Sequence, residues 1–222
     1  MSRPFDLVIF DCDGVLIDSE RLSIRLDAEL LAQLGWPLTQ DEIVERWVGR
    51  TEAAMKAEIE DHLGRDVGDE LAAFEVRYLE AFAEQLQPVE GAAEAVDAIQ
   101  AAGYATCIAS SGNLPKIRRN LAKTGLLDRF GDRLVTAEDV EHGKPAPDLF
   151  LHAAAVMGIA PQRTAVVEDS RHGVAAARAA GMWAFAYGGG VTPPAALEGP
   201  RTTVFTDMRQ LPALVEGGAP PA

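Results

Sequence analysis

The pattern of apolar and polar positions divides the chain into two kinds of segment. The first apolar run, Leu7-Val8-Ile9-Phe10, has two β-branched residues, one aromatic and no polar alternation. Such a run predicts a strand buried on both faces, as in the middle of a parallel sheet. It breaks abruptly into Asp11-Cys12-Asp13-Gly14. Beyond it the period becomes helical. Leu22, Leu26, Leu30 and Leu34 recur every four residues until Gly35 and Pro37 stop the helix, and Thr39-Gln40-Asp41-Glu42 has the form of a capping box for the next. Leu71, Phe74, Tyr78, Phe82 and Leu86 make a second long stripe, ended by Pro88. Stripes at this spacing predict the core of a helical bundle and not a cofactor site.

After Pro88 helix and strand alternate. A helix from Gly91 to Gly103 precedes a strand over 104–109, and a helix carrying Ile117 and Leu121 ends at Gly125. Further strands are expected at 134–136, 164–167 and 183–187, separated by helices near 147–157 and 172–180 that stop at Gly158 and Gly181. This βαβ rhythm predicts an α/β fold with a doubly wound, Rossmann-like parallel sheet. The helical stretch 18–88 interrupts it after the first strand. Residues 1–17 and 89–216 are therefore expected to form the core, 18–88 a second, helical domain, and 217–222 a disordered tail.

Charge sharpens this division. The 222 residues carry a net charge of −14, and 18–88 holds seventeen Asp and Glu against seven Lys and Arg. That balance argues against nucleic acid as a partner, since phosphate backbones are bound by basic surfaces. With 48% hydrophobic and 24% charged residues the composition is that of a soluble globular protein with a sizeable core. The run at 7–10 is too short for a signal peptide, and the longest uncharged stretch, Ala179 to Leu197, is broken by glycines and prolines, so no membrane span is expected. Cys12 and Cys107, both in or beside apolar runs, read as small buried residues of a reducing compartment, hence a cytoplasmic protein, and their surroundings do not suggest zinc.

The candidate chemistry lies where the first strand ends. In open α/β sheets ligands bind outside the carboxyl ends of the strands, where Asp11 and Asp13 fall. In an extended chain residues i and i+2 point to one side, so both carboxylates can meet one substrate, one as nucleophile and the other as proton carrier. Gly14 permits the sharp departure that follows. An Asp-Gly turn without chemistry is the plain alternative.

Asp11-Cys12-Asp13-Gly14-Val15-Leu16 resembles the first motif of the haloacid dehalogenase superfamily, most of whose members are aspartate-nucleophile phosphatases and phosphomutases. Three further motifs of that family occur in order: Ser110 in Ala109-Ser110-Ser111-Gly112-Asn113, Lys144 in Lys144-Pro145-Ala146-Pro147-Asp148, and Glu168-Asp169-Ser170 after Ala165-Val166-Val167. Taken singly, Ser110 and Ser111 could cap a helix near Leu114, Lys144-Pro145 could be a loop, and Asp169 and Ser170 could cap the helix at 172–180. Together they all follow predicted strands.

The resemblance implies that Asp11 attacks a phosphate monoester, Asp13 is acid and then base, and Ser110 and Lys144 assist. It implies Mg²⁺ held by Asp11, Asp13 through its backbone carbonyl, and Asp169, with Glu168 a ligand or a partner of one. Ser111, Gly112 and Asn113 would bind the transferring oxygens, and the inserted bundle would be a cap hinged near 14–19 and 86–90. The expected partner is a small phosphorylated metabolite, acted on by a monomer or weak homodimer.

The motifs look most like the β-phosphoglucomutase and phosphoglycolate phosphatase branch. A mutase of that branch carries a His where Ser23 aligns and a Lys where Phe74 aligns, so a phosphatase is expected. Arg46, Arg50, Lys56 and Arg77 are the cap's candidates for an anion, with Arg50 foremost. A phosphonate hydrolase would need a cap lysine, for which only Lys56 exists, and a dehalogenase would not need Asp13. A silent binding module is the non-enzyme alternative.

Overall fold

The computed structural model describes residues 3–218. Six strands form one parallel sheet in the order β3-β2-β1-β4-β5-β6. They are β1 (Leu7–Phe10), β2 (Ala105–Ser110), β3 (Leu134–Thr136), β4 (Thr164–Glu168), β5 (Trp183–Tyr187) and β6 (Thr202–Phe205). The chain runs outward from β1 to β3 and then returns to the other side of β1. The order therefore reverses between β1 and β4, at the crevice where α/β sheets hold ligands.

Strand β1 is central and fully covered, as its unbroken apolar run predicts. Val8 and Phe10 enter one apolar cluster and Leu7 and Ile9 the other, on the opposite face. Each such side chain contributes about 1.5–3 kcal/mol on burial, so β1 is held in register from both sides. Phe10 lies level with Val167 of β4 and Ile108 of β2.

Four helices intervene between β1 and the rest of the sheet: α1 (Glu20–Leu34), α2 (Gln40–Trp47), α3 (Glu52–Leu63) and α4 (Gly68–Gln85). Gly35 closes α1 in the left-handed conformation, and Thr39 and Glu42 form the expected capping box. The chain enters and leaves this bundle side by side, for the Val89 amide donates to the Leu16 carbonyl and the Asp18 amide to Gln87. Six helices accompany the later strands: α5 (Ala92–Ala101), α6 (Leu114–Lys123), α7 (Leu127–Phe130), α8 (Asp148–Val156), α9 (Arg171–Ala179) and α10 (Leu211–Gly217).

Four elements depart from the sequence expectation. Helix α3 buries only Ile59 fully, so it has no apolar stripe to read. Strand β6, Thr-Thr-Val-Phe, is a half-buried edge whose polar residues mask it. Helices α7 and α10 are too short for a periodic signal. The expected tail is corrected at its start: Gly217 is helical and Gly218 ends α10, while 219–222 lie outside the described residues. Both cysteines are buried and free. No helix among the described residues is long and apolar enough to cross a membrane.

Candidate active site

The strand ends bring together the charged residues that the motifs single out. Asp11 follows β1, and its amide donates to the Val167 carbonyl at 2.9 Å, which continues the ladder one residue past the strand. Its Oδ1 accepts from Lys144 Nζ at 2.6 Å. The same ammonium donates to Glu168 Oε1 at 2.7 Å. Asp11, Lys144, Glu168 and Asp169 are only 5%, 5%, 0% and 1% exposed, so one buried cation stands among three buried carboxyl groups. Burying ions is costly unless they are paired, and this set is short of positive charge. Burial, aided by Glu168 and Asp13 and opposed by Lys144, pushes the Asp11 carboxyl up to about 7. Burial and the neighbouring Glu168 push Asp169 well above the usual carboxylate range.

Second-layer contacts fix these groups. Glu168 Oε2 accepts from the Ser170 amide at 2.7 Å and from Ser170 Oγ at 2.9 Å. Both its oxygens are thus taken by Lys144 and Ser170. Ser170 Oγ also accepts from the Gly173 amide, capping α9. Gly173 sits inside that helix because a Cβ there would overlap the Glu168 carboxylate. A glycine in a helical pattern is a sequence signal for such close approach.

Asp13 is half-buried, and its Oδ1 accepts from Ser19 Oγ at 2.6 Å. Ser19 was missed; its place at the start of a helical period suggested at most a cap. Ser110 ends β2, buried, and its Oγ accepts from the Gly112 amide at 3.1 Å, which leaves its proton free to donate. Ser111 donates to the Gly49 carbonyl at 3.0 Å, across to the inserted bundle. Asn113 caps α6, its side chain accepting from the Lys116 amide at 2.9 Å. The Lys144–Pro145 bond is cis.

Asp169 Oδ2 is buried without a hydrogen-bond partner. Gly14, at φ +78°, presents its bare Cα to that carboxylate, and a Cβ would overlap it. Hard oxygen donors in a carboxylate-rich site suit Mg²⁺. Among the described residues no three His, Cys, Asp or Glu side chains cluster as a metal site. A divalent cation would therefore be held by two buried carboxylates, Asp11 and the unpartnered Asp169.

Over these groups the bundle and the core frame a cavity of about 800 Å³ that is open to solvent. Asp11, Asp13, Ser110, Ser111, Gly112 and Asn113 form its floor. The 45–52 segment touches the core four times: Glu45 to Arg171, the Val48 carbonyl to His172, Gly49 to Ser111, and Glu52 to Lys116 at 2.7 Å. Arg50 lines the cavity, but its Nη1 bonds Glu58 at 3.0 Å. Lys56 lines it and pairs with Glu60. Arg46 also pairs with Glu58, and Arg77 with Glu29. Ser23 faces the cavity, whereas Phe74 is buried in the bundle against Tyr78. Phe74 therefore belongs to packing.

Asp27, also on the cavity wall, accepts from the Tyr78 hydroxyl. Burial pushes its carboxyl up to about 6. Because the unfolded chain releases this proton first, the stabilisation is full below about pH 4, falls as pH rises to about 6, and is level above. Asp27→Asn should abolish that decline, worth at most about 3 kcal/mol from the size of the shift. Urea unfolding of both proteins at pH 4 and pH 6.5 checks it; an equal pH dependence in the two would contradict the assignment.

An α/β hydrolase with an aspartate pair and a lysine at the switch point of its sheet is the class that this geometry defines. A family model for haloacid dehalogenase-like hydrolases matches residues 5–181. The 6-phosphogluconate phosphatase of Escherichia coli is 31% identical over 220 residues, 96% of each chain. Hexitol phosphatase B of the same organism is 29% identical over 200 residues, 82% of this chain and 84% of that one. A hydrolase from Pseudomonas syringae superposes with a TM-score of 0.82 at 26% identity, over 97% of this chain and all of the other. The chain belongs to the haloacid dehalogenase-like hydrolases and is an enzyme of that family.

Proposed function

We propose that this enzyme is a Mg²⁺-dependent phosphatase that hydrolyses a small, sugar-like phosphate monoester through an aspartyl phosphate on Asp11. The observation that carries the reading is the ammonium of Lys144, held 2.6 Å from Asp11 in a buried site at the sheet's switch point. A carboxylate approaching a phosphate meets like charge, and a unit pair at 4 Å costs roughly 4 kcal/mol at an effective dielectric of 20. Lys144 lies where it offsets that repulsion, and Glu168 with Ser170 keeps it there. Asp11, Asp169 and the Asp13 carbonyl would hold Mg²⁺, which when bound would supply Lewis-acid chemistry at the phosphoryl group.

Asp11 forms the new bond to phosphorus while the ester P–O bond breaks, and Asp13 gives its proton to the departing alkoxide. Water then attacks the aspartyl phosphate, Asp13 takes its proton, and Asp11 is regenerated with release of inorganic phosphate. The Ser110 hydroxyl and the amide of Ser111 are suited to hold the transferring oxygens. Residues 18–88 act as a cap over a core of 1–17 and 89–216, hinged where the two linking strands pair, and exclude bulk water while closed. The relatives named for 6-phosphogluconate and hexitol phosphates support a sugar-like substrate.

The test is phosphate release from a panel of sugar, sugar-acid and small metabolite phosphates with Mg²⁺. EDTA should eliminate turnover and Mg²⁺ restore it, whereas Ca²⁺, which prefers looser geometry and more ligands, should bind without supporting it. Full activity after exhaustive chelation, or with Ca²⁺, would remove the metal from the reading. Accumulation of glucose 6-phosphate from β-glucose 1-phosphate, with no monoester hydrolysed, would make the enzyme a mutase.

A further inference from the structure

The cavity changes character along its length. Its floor is polar, but the wall that α4 gives it is apolar: Leu71, Ala72, Tyr78, Leu79 and Phe82 line it from that helix. Positions 71, 75, 78 and 82, with 72 and 79 beside them, share one helix face, on which Glu75 is the one charged group. The Tyr78 hydroxyl is taken by Asp27. From Leu71 to Phe82 the face runs about 16 Å along the helix. Helix α4 returns to the core through Pro88, which bridges to Ile17, so Phe82 lies at the core end of the face and Leu71 at the far end.

An apolar helix face in a bundle is ordinarily covered by a neighbouring helix. Helix α3 lines the same cavity and does not cover this one, for it buries only Ile59 fully and adds a half-buried Met55 to the lining. Leu71 is likewise half-buried. Leu79 is 40% exposed; of the four large apolar side chains left exposed among the described residues, it is the one that lines the cavity. Ligand cavities are mostly apolar with a few polar groups that fix orientation, and apolar surface gains in proportion to the area a ligand covers. The wall belongs to the same cavity as Asp11, Asp13 and Ser110. Whatever covers it during turnover is therefore the leaving group of the ester bound at Asp11.

We infer that the leaving group carries an apolar substituent, an aryl or alkyl end beyond its sugar-like part, seated against Leu79, Leu71 and Met55. This rests on the phosphatase reading above and names its substrate class. It places the specificity-determining position at Leu79, whereas Arg50 is committed to Glu58.

Glucose 6-phosphate and phenyl β-glucoside 6-phosphate form a matched pair, alike but for a phenyl group on the anomeric oxygen, remote from the phosphate. For the wild-type enzyme kcat/KM should favour the phenyl glucoside by about tenfold or more, the scale on which apolar pockets discriminate. Leu79→Ser should narrow that ratio about fivefold, losing more on the glucoside than on the parent sugar. A wild-type enzyme that is indifferent to the phenyl group, or prefers glucose 6-phosphate, overturns the inference without any variant. So does an unchanged ratio in Leu79→Ser, whether or not both rates fall, since a merely structural role leaves the ratio unmoved. para-Nitrophenyl phosphate separates the two readings: its hydrolysis without a preference for the glucoside over glucose 6-phosphate removes this inference alone, and no hydrolysis of any of the three esters removes both.

Discussion

Asp11→Asn should leave a folded protein with no measurable turnover, a loss of at least about 10⁴-fold by analogy with removal of other enzymic nucleophiles. The amide keeps the shape of the carboxylate and can still accept from Lys144, but it lacks the charge that attacks phosphorus. Stability should hardly fall. Asp11 is one of three buried carboxyl groups around one ammonium, and Glu168 remains at 2.7 Å to pair with Lys144. The paired measurement is phosphate release, with thermal unfolding on the same preparation. Turnover within tenfold of wild type would remove the nucleophile and with it the proposed reaction. A variant that is inactive because it has unfolded would show that Asp11 is needed for the structure.

The second large effect concerns the leaving group. Asp13→Asn should lower turnover of an alkyl phosphate by about 10²–10⁴-fold, the range of general acid–base catalysis. Asp13 faces the cavity floor beside Asp11 and is held by Ser19 Oγ at 2.6 Å. An asparagine keeps that bond yet carries no proton to give. An aryl phosphate, whose phenolate leaves unaided, should lose much less in the first step and remain limited by attack of water on the aspartyl phosphate. Single-turnover kinetics on both substrates separate the steps. Equal losses for the two would count against Asp13 as the acid.

The fold was legible wherever one period dominated. β1 announced itself because a strand covered on both faces has no polar positions, and the leucine stripe of α1 because one face meets the bundle core. α3 and β6 escaped for the same reason in reverse: neither buries enough of one face to impose a period. In the site, Asp11, Ser110 and Glu168 were readable from their places at strand ends, and Lys144 from its motif in the loop that follows β3. Ser19, Glu20, Asp27 and Lys116 were not. Each sits in or at the start of a helical stretch where a polar residue reads as cap or solvated surface, and only the packing of α1 and α6 about the site sets Glu20, Asp27 and Lys116 on the cavity and Ser19 against Asp13.

What the chain determines by itself is local: which runs become buried strands, where glycine and proline end helices, and which acids stand at a strand's carboxyl end. Those follow from side-chain period and backbone sterics, which act over a few residues. Tertiary structure decided the rest. It brought Lys144 to Asp11 across 133 positions of sequence, engaged both oxygens of Glu168, which sequence had left between two roles, and left Asp169 with an unpartnered oxygen. It also tied Arg50 to Glu58 and set Glu20 and Asp27 on the cavity wall. The physical reason is that charge is shared among neighbours in space. Which carboxylate is paired, and which is left to meet a ligand, depends on the packing of elements far apart in the chain.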